Sequence, residues 1–206
     1  HPDELCTYIK TVPLDMDHWY AARDIYKATN SPSLELGKAA FFLNRTNRSG
    51  ILTGGVIGGK LQSGTYKIDA RFNRDSLCKK VQEISAHSAD IELHNLDALD
   101  FMEDVVPKLG KKSLLYLDPP YVQKGPGLYE NSFSDGDHRE LSNYIRSYDG
   151  NWMVTYDTDD LVDELYTPSE DWAIIVDEIK ISYSAAQSRN VATERLILGP
   201  SLTLPD

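Results

Sequence analysis

Cysteine is scarce in this chain: Cys6 and Cys78 are the only two among 206 residues. Two thiols are too few for a disulfide scaffold and show no metal-ligand spacing. A reducing cytoplasm is the simplest setting for them. Long apolar runs are missing as well. None approaches the roughly 20 residues that a membrane helix needs, and no secretory signal is legible, so no membrane partner is expected. Positive charge is in deficit, with 21 Lys and Arg against 32 Asp and Glu and a net charge of −11. That balance argues against a simple nucleic-acid binder. The chain opens His1-Pro2-Asp3 without Met, so it is expected to be processed, trimmed or cut from something larger. It has no internal repeat and no low-complexity linker. Its length suits one large domain or a domain with an insertion.

What is present is unevenly placed. Between Lys38 and Lys80 stand nine Lys and Arg against Asp69 and Asp75, so that block carries +7 and the remainder −18. A basic block inside an acidic chain is the pattern of a local phosphate-facing surface, or else of a solvated face. Inside the block, residues 50–64 hold six glycines, which interrupt Ile51, Leu52, Val56, Ile57 and Leu61. This reads as a hairpin or a mobile loop. It does not follow a strand and open a helix, so it is not a dinucleotide-binding glycine loop.

The most informative stretch is Leu114-Leu115-Tyr116-Leu117-Asp118-Pro119-Pro120-Tyr121. A short apolar run bounded by Lys111-Lys112 and by prolines predicts a strand buried on both faces, as in a parallel sheet. Neither proline has an N–H for the ladder, so the strand stops there. Asp118 is thereby placed at the C-terminal end of a central strand, where open α/β sheets bind ligands. The plain alternative is a turn-capping Asp and two prolines that end a strand. The chemical reading is an acceptor pair for an exocyclic amino group. The lone pair of such a nitrogen is delocalised into its ring. A carboxylate from Asp118 and the carbonyl of Pro119, aimed at the two hydrogens, return it to nitrogen. Tyr121 offers a flat face for a flipped base.

Flanking elements follow from periodicity and caps. Helices are expected ending near Val12 and over 18–28, 34–45, 74–85 (capped by Asn73, with Leu77, Val81 and Ile84 inward), 99–106, 135–148 and 160–166. Strands are expected at 91–94, 152–156, 172–176, 178–183 and 195–198. Alternating strands and helices followed by several strands predict a doubly wound sheet with an antiparallel edge. Asp97, after the strand at 91–94, is a ligand acceptor or a helix cap. Leu128-Tyr129 and Phe133 are candidates to cover a base or to fill the core. His138, in the first turn of its expected helix, reads as structural rather than as a general base.

Asp118-Pro119-Pro120-Tyr121 resembles the catalytic motif of S-adenosylmethionine-dependent amino-methyltransferases. More of the chain is similar to the Dam-like DNA adenine N6-methyltransferase family. The similar stretches are Phe42-Leu43-Asn44-Arg45-Thr46, Gly54 to Lys60, Tyr66 to Asn73, Leu128-Tyr129, Asp137-His138, Val154-Thr155-Tyr156-Asp157 and Tyr183-Ser184-Ala185. The resemblance implies an α/β, Rossmann-like methyltransferase sheet, incomplete at its N-terminal strands. Residues 1–86 would form a helical recognition region with a Gly-rich hairpin at 50–64, and 87–206 the catalytic region. It implies methyl transfer from S-adenosylmethionine to the N6 of adenine in double-stranded DNA, with no metal. Asp118, Pro119, Pro120 and Tyr121 would be catalytic. Asp97 and Asp118 would contact the cofactor, and Arg45, Arg48, Lys60, Lys67 and Arg71 the DNA. Tyr121, Tyr129 and Tyr183 would form the base pocket. The family's Gly-rich cofactor loop has no counterpart before position 34, so a further N-terminal segment or a second chain is expected to complete the cofactor site. An RNA amino-methyltransferase and a degenerate methylase acting as a DNA-binding module are the alternatives.

Overall fold

Short polar side chains open most of the helices, each taking up an amide that the first turn leaves without a partner. The computed structural model describes residues 1–29, 31–122, 133–183 and 190–204, apart from the side chains of 181–183 and 190–192. It divides into two compact units, His1–Leu93 and His94–Asp206. In the first, α1 (Pro2–Thr11) starts with proline where no amide is needed. Asp15, Ser33 and Asn73 cap α2 (Met16–Ala28), α3 (Leu34–Thr46) and α4 (Arg74–Ala86). The core of this unit collects Ile9, Trp19, Phe42 and Leu43, all essentially inaccessible.

One buried amide ties that core to the glycine-rich segment. Asn47 is fully buried, accepts from the Trp19 indole at 2.7 Å and donates to the carbonyls of Ile51 and Leu52 at 2.8 and 2.9 Å. The hairpin expected at 50–64 does not form. Among the described residues the segment has one isolated bridge, Asn47 to Val56, and otherwise consists of turns. Left-handed backbone at Ser49 and Gly50, and again at Gly58 and Gly59, reverses the chain before a strand gains length. Gly58 tolerates no side chain, since a Cβ there would meet the Tyr66 carbonyl at 2.7 Å. Gln62 holds the turns, donating to the Ile57 and Gly59 carbonyls and accepting from the Ile68 amide.

Two further expectations are corrected here. Ile84 is 63% exposed rather than inward, although Leu77 of the same helix is buried. Residues 91–94 form no strand, and Leu93 is 91% exposed. These residues pair with no strand among the described residues.

The second unit begins with α5 (Ala98–Asp104), followed by strand β1 (Leu114–Leu117). Helix α6 (Asp135–Ser147) starts in a capping box between Ser134 and Asp137 and leads into β2 (Asn151–Asp157). Asp159 caps α7 (Asp160–Leu165), and β3 (Ile175–Tyr183) and β4 (Asn190–Leu198) follow. The two short strands expected over 172–183 are one long strand that starts at Ile175. Among the described residues the sheet has four strands in the order β1-β2-β4-β3. β1 and β2 are parallel, with α6 in the crossover between them, and the β2–β4 and β3–β4 pairs are antiparallel.

Alternation then sorts the side chains. Leu115, Trp152, Val154, Tyr156 and Ile197 share the face that the helices cover, and all are buried. Ser142 of α6 donates to the Leu165 carbonyl of α7, and Tyr144 to the Met102 carbonyl of α5. Arg195 of β4 reaches Asp163 of α7 through two bonds of 2.8 and 2.9 Å and also bonds Glu178 of β3. The other face carries Tyr116, Asp118, Thr155, Asp157 and Glu194.

Replacing Asn47 by alanine leaves the Trp19 N–H and two loop carbonyls without their partner. The expected loss is about 3 kcal/mol of stability, within the range for a buried hydrogen-bonded group. Urea unfolding followed by Trp fluorescence measures it, and a change below about 1 kcal/mol would mean that solvent replaces the amide.

Candidate active site

Pairing β1 with β2 builds the site. The register Leu117 to Val154, carried one residue on, sets Asp118 beside Thr155. Thr155 is 6% exposed and donates from Oγ1 to Asp118 Oδ1 at 3.1 Å. Tyr116, two residues before Asp118 and on the same face, has its hydroxyl 2.9 Å from the same Oγ1. Asp118 itself is exposed and Pro119 behind it is buried, so the carboxylate stands on a fixed base.

A cavity of about 650 Å³ opens at this strand end. Its walls run from Tyr116 to Pro120 and from Asn95 to Ala98, with Met102, Phe133 and Leu141 completing the lining. Small-molecule sites have volumes of about 300–1,000 Å³ and combine apolar walls with a few convergent polar groups, as this one does. Asp97 sits on its rim. One of its oxygens accepts from Leu99 N at 2.9 Å and caps α5, and the other has no hydrogen bond among the described residues. The two roles left open for Asp97 are therefore geometrically compatible.

Of the four residues of the Asp-Pro-Pro-Tyr motif, Asp118, Pro119 and Pro120 line the cavity. Tyr121 is half-buried outside that lining, and its hydroxyl donates to Glu194, a buried carboxylate of β4. Tyr129 lies outside the described residues, and Tyr183 is placed only as the last residue of β3. Sequence reasoning assigned no role to Tyr116, Thr155, Glu194 or Asn95. For Thr155 the available signal was a hydroxyl in Val154-Thr155-Tyr156-Asp157, a strand able to run beside the apolar strand before Asp118.

The basic residues of the first unit divide into two kinds. Arg45 donates from Nε and Nη2 to the Arg71 carbonyl at 3.2 and 3.1 Å. Arg71 reaches the Asn47 carbonyl, and Lys67 the Gln62 carbonyl. These bonds order the turns without neutralising charge. Burial, and then the neighbouring Arg71, lower the Arg45 pKa below its ordinary value. Arg48 and Lys60 are exposed. None of the five pairs with a carboxylate among the described residues.

His138 is 1% exposed, with Nδ1 2.8 Å from the Tyr156 hydroxyl and its ring 5.2 Å from that of Phe133 on the cavity wall. Burial is the largest influence and holds its pKa below the ordinary 6.5, against the raising influence of Asp135, Asp137 and Asp159. The Tyr156 hydroxyl is pushed up, chiefly by burial, and stays protonated.

These features define a class of protein: a mixed α/β fold with a cavity at the carboxyl end of a parallel strand, lined by Asp118, Pro119 and Pro120. A family model described as D12 class N6 adenine-specific DNA methyltransferase matches residues 40–180, well over half of the chain. The chain belongs to this family. A search of curated proteins gives no match. Among the described residues, no helix is long and apolar enough to cross a membrane.

The His138 environment sets a pH dependence. The folded-state pKa lies below the unfolded one, so the unfolded chain takes up the proton first as pH falls. This contribution to stability is complete above about pH 6.5 and is lost as pH falls through the folded-state value, by at most about 1.4 kcal/mol per pH unit. Chemical denaturation between pH 5 and 8 should show a flatter profile in His138→Gln than in the native protein. Parallel profiles would assign the slope to other groups.

Proposed function

We propose that this protein transfers a methyl group from S-adenosylmethionine to the exocyclic N6 of adenine in double-stranded DNA, on a Rossmann-like sheet. The observation that carries the reading is Asp118 at the end of β1, lining the cavity with Oδ1 held by Thr155. Its Oδ2 has no hydrogen bond among the described residues and is the acceptor for one amino hydrogen. The Pro119 carbonyl, on a backbone whose φ is fixed by the ring, is the acceptor for the other. Together they turn the nitrogen lone pair towards the methyl donor and hold it in line. Pro119 and Pro120 exclude water from one side of the base, and Tyr121 is the proposed stacking face, steadied through Glu194. Tyr129 and Tyr183 remain proposed members of the base pocket.

The cavity walls fit the donor's adenosine end. Asp97 offers a free carboxylate oxygen to an amino group, and Leu96, Met102, Phe133 and Leu141 supply apolar contact. S-Adenosylmethionine, when bound, supplies an electrophilic methyl group on its sulfonium. Among the described residues β1 pairs on one side only, and Leu114 and Tyr116 are half exposed. This favours completion of the cofactor site by a further N-terminal segment or a second chain. Arg45, Arg48, Lys60, Lys67 and Arg71 are proposed to face the DNA backbone, supported by the charge that they keep unpaired. A reducing cytoplasm suits the free, buried Cys6 and Cys78.

Asp118→Ala removes a charge-assisted acceptor from the reacting nitrogen. Methyl incorporation into adenine should fall by about a thousandfold or more while DNA binding persists. The measurement is tritiated methyl transfer to duplex DNA, with structured RNA as the competing substrate. Activity within about tenfold of the native protein ends the proposal.

Arg48→Glu with Lys60→Glu should weaken DNA binding and flatten its salt dependence. The log–log slope should drop by about 0.9 for each phosphate that is no longer neutralised. Anisotropy titrations at several salt concentrations read it, and an unchanged slope would make these two cations a solvated face.

A further inference from the structure

We infer that Thr155 and Tyr116 form a hydrogen-bond relay that positions the Asp118 carboxylate for the incoming amino group. The inference rests on the methyl-transfer reading and adds two positioning residues to it. Three observations converge. Thr155 Oγ1 lies 3.1 Å from Asp118 Oδ1 and 2.9 Å from the Tyr116 hydroxyl. Thr155 is buried, whereas Asp118 and Tyr116 are exposed and line the cavity. All three stand on one face of two parallel strands in register.

The direction of the relay follows from donor counting. A carboxylate oxygen only accepts, and a threonine hydroxyl has one hydrogen. That hydrogen goes to Asp118, so the Tyr116 hydroxyl donates to Thr155. The chain of donors runs Tyr116 to Thr155 to Asp118 and ends on Oδ1. Oδ2 remains as the acceptor for substrate. An aspartate at an exposed strand end otherwise samples several rotamers, and each productive encounter would have to freeze one of them. A β-branched threonine on a central strand is stiff at χ1, so its hydroxyl is a fixed point. Held in this way, Asp118 meets the amino group without reorganising, which matters most when the lone pair must lie in line with the methyl donor. Thr155 and Tyr116 act through Asp118 and touch no reacting atom.

Thr155→Val preserves shape and removes only the hydroxyl. In the full-length protein it should lower kcat for adenine methylation in duplex DNA by about tenfold or more, with KM for DNA within about twofold, and Thr155→Ser should restore the rate. Tyr116→Phe should lower kcat by about threefold, and that effect should vanish in the Thr155→Val background, because the two hydroxyls act in series. Tyr116 is half exposed, so this variant tests the relay even if Thr155→Val folds poorly. A crystal structure of Thr155→Val should show the Asp118 carboxylate turned from its native rotamer. An unmoved carboxylate, a Ser variant no better than Val, or additive effects of the two substitutions would overturn the relay. Asp118→Ala serves as the reference. If it stays active, the methyl-transfer reading falls and the relay with it. If it is inactive while Thr155→Val is fully active, the relay alone falls.

Discussion

The in-register parallel pairing of β1 with β2 is the constraint on which the site depends. Residues that face each other across a parallel ladder point to the same side of the sheet. Leu117 against Val154 therefore carries Asp118 onto Thr155, and the two prolines end the ladder at that residue. A slip of one position would turn Asp118 towards Val154 and Tyr156, on the face that the helices seal. The buried Trp152, Val154 and Tyr156 enforce the register, since each would otherwise be carried to the open face. Core packing on one face thus fixes the placement of side chains on the other.

β4 adds a second constraint. It lies between β2 and β3, and its Glu194, directly opposite Asp157, receives the Tyr121 hydroxyl. The Asp-Pro-Pro-Tyr segment is consequently tied at both ends, through Asp118 to β2 and through Tyr121 to β4. A loop that leaves a strand end is ordinarily the most mobile part of an α/β protein. Here its polar side chains are recruited by neighbouring strands, which is how a surface segment acquires the fixed geometry that orientation-dependent chemistry requires.

In the first unit the same economy orders the turns. Arg45, Arg71 and Lys67 bond to backbone carbonyls, so each satisfies a loop acceptor while keeping its full charge. A carboxylate partner would have cancelled the field. The polar centre at Asn47 shows why this works: Trp19 fixes the amide, and the amide fixes the two loop carbonyls.

Local chemistry determined what the sequence alone could reveal. Caps at Ser33, Asn73, Ser134 and Asp159 mark helix starts because a short polar side chain bonds an amide two or three residues away. The apolar run before Asp118 marks a strand because its length and prolines leave no other element. The burial expected on both faces fails: β1 lies at the sheet edge among the described residues, with Leu114 and Tyr116 exposed. The tetrapeptide and the stretches around it carried the family resemblance. Side-chain patterns did not reveal the failure of a hairpin at 50–64, where consecutive left-handed residues decide the path. They also gave residues 91–94 a strand, where the backbone pairs with no strand among the described residues. The relay from Tyr116 through Thr155 to Asp118 joins residues 37 positions apart or more, and the Tyr121 to Glu194 bond spans 73. Only strand order and register bring such pairs together. Sequence proposed Asp118 as the reactive carboxylate because its motif is written in adjacent residues. Tertiary structure decided which groups hold it, because hydrogen bonds across a sheet depend on which strands become neighbours.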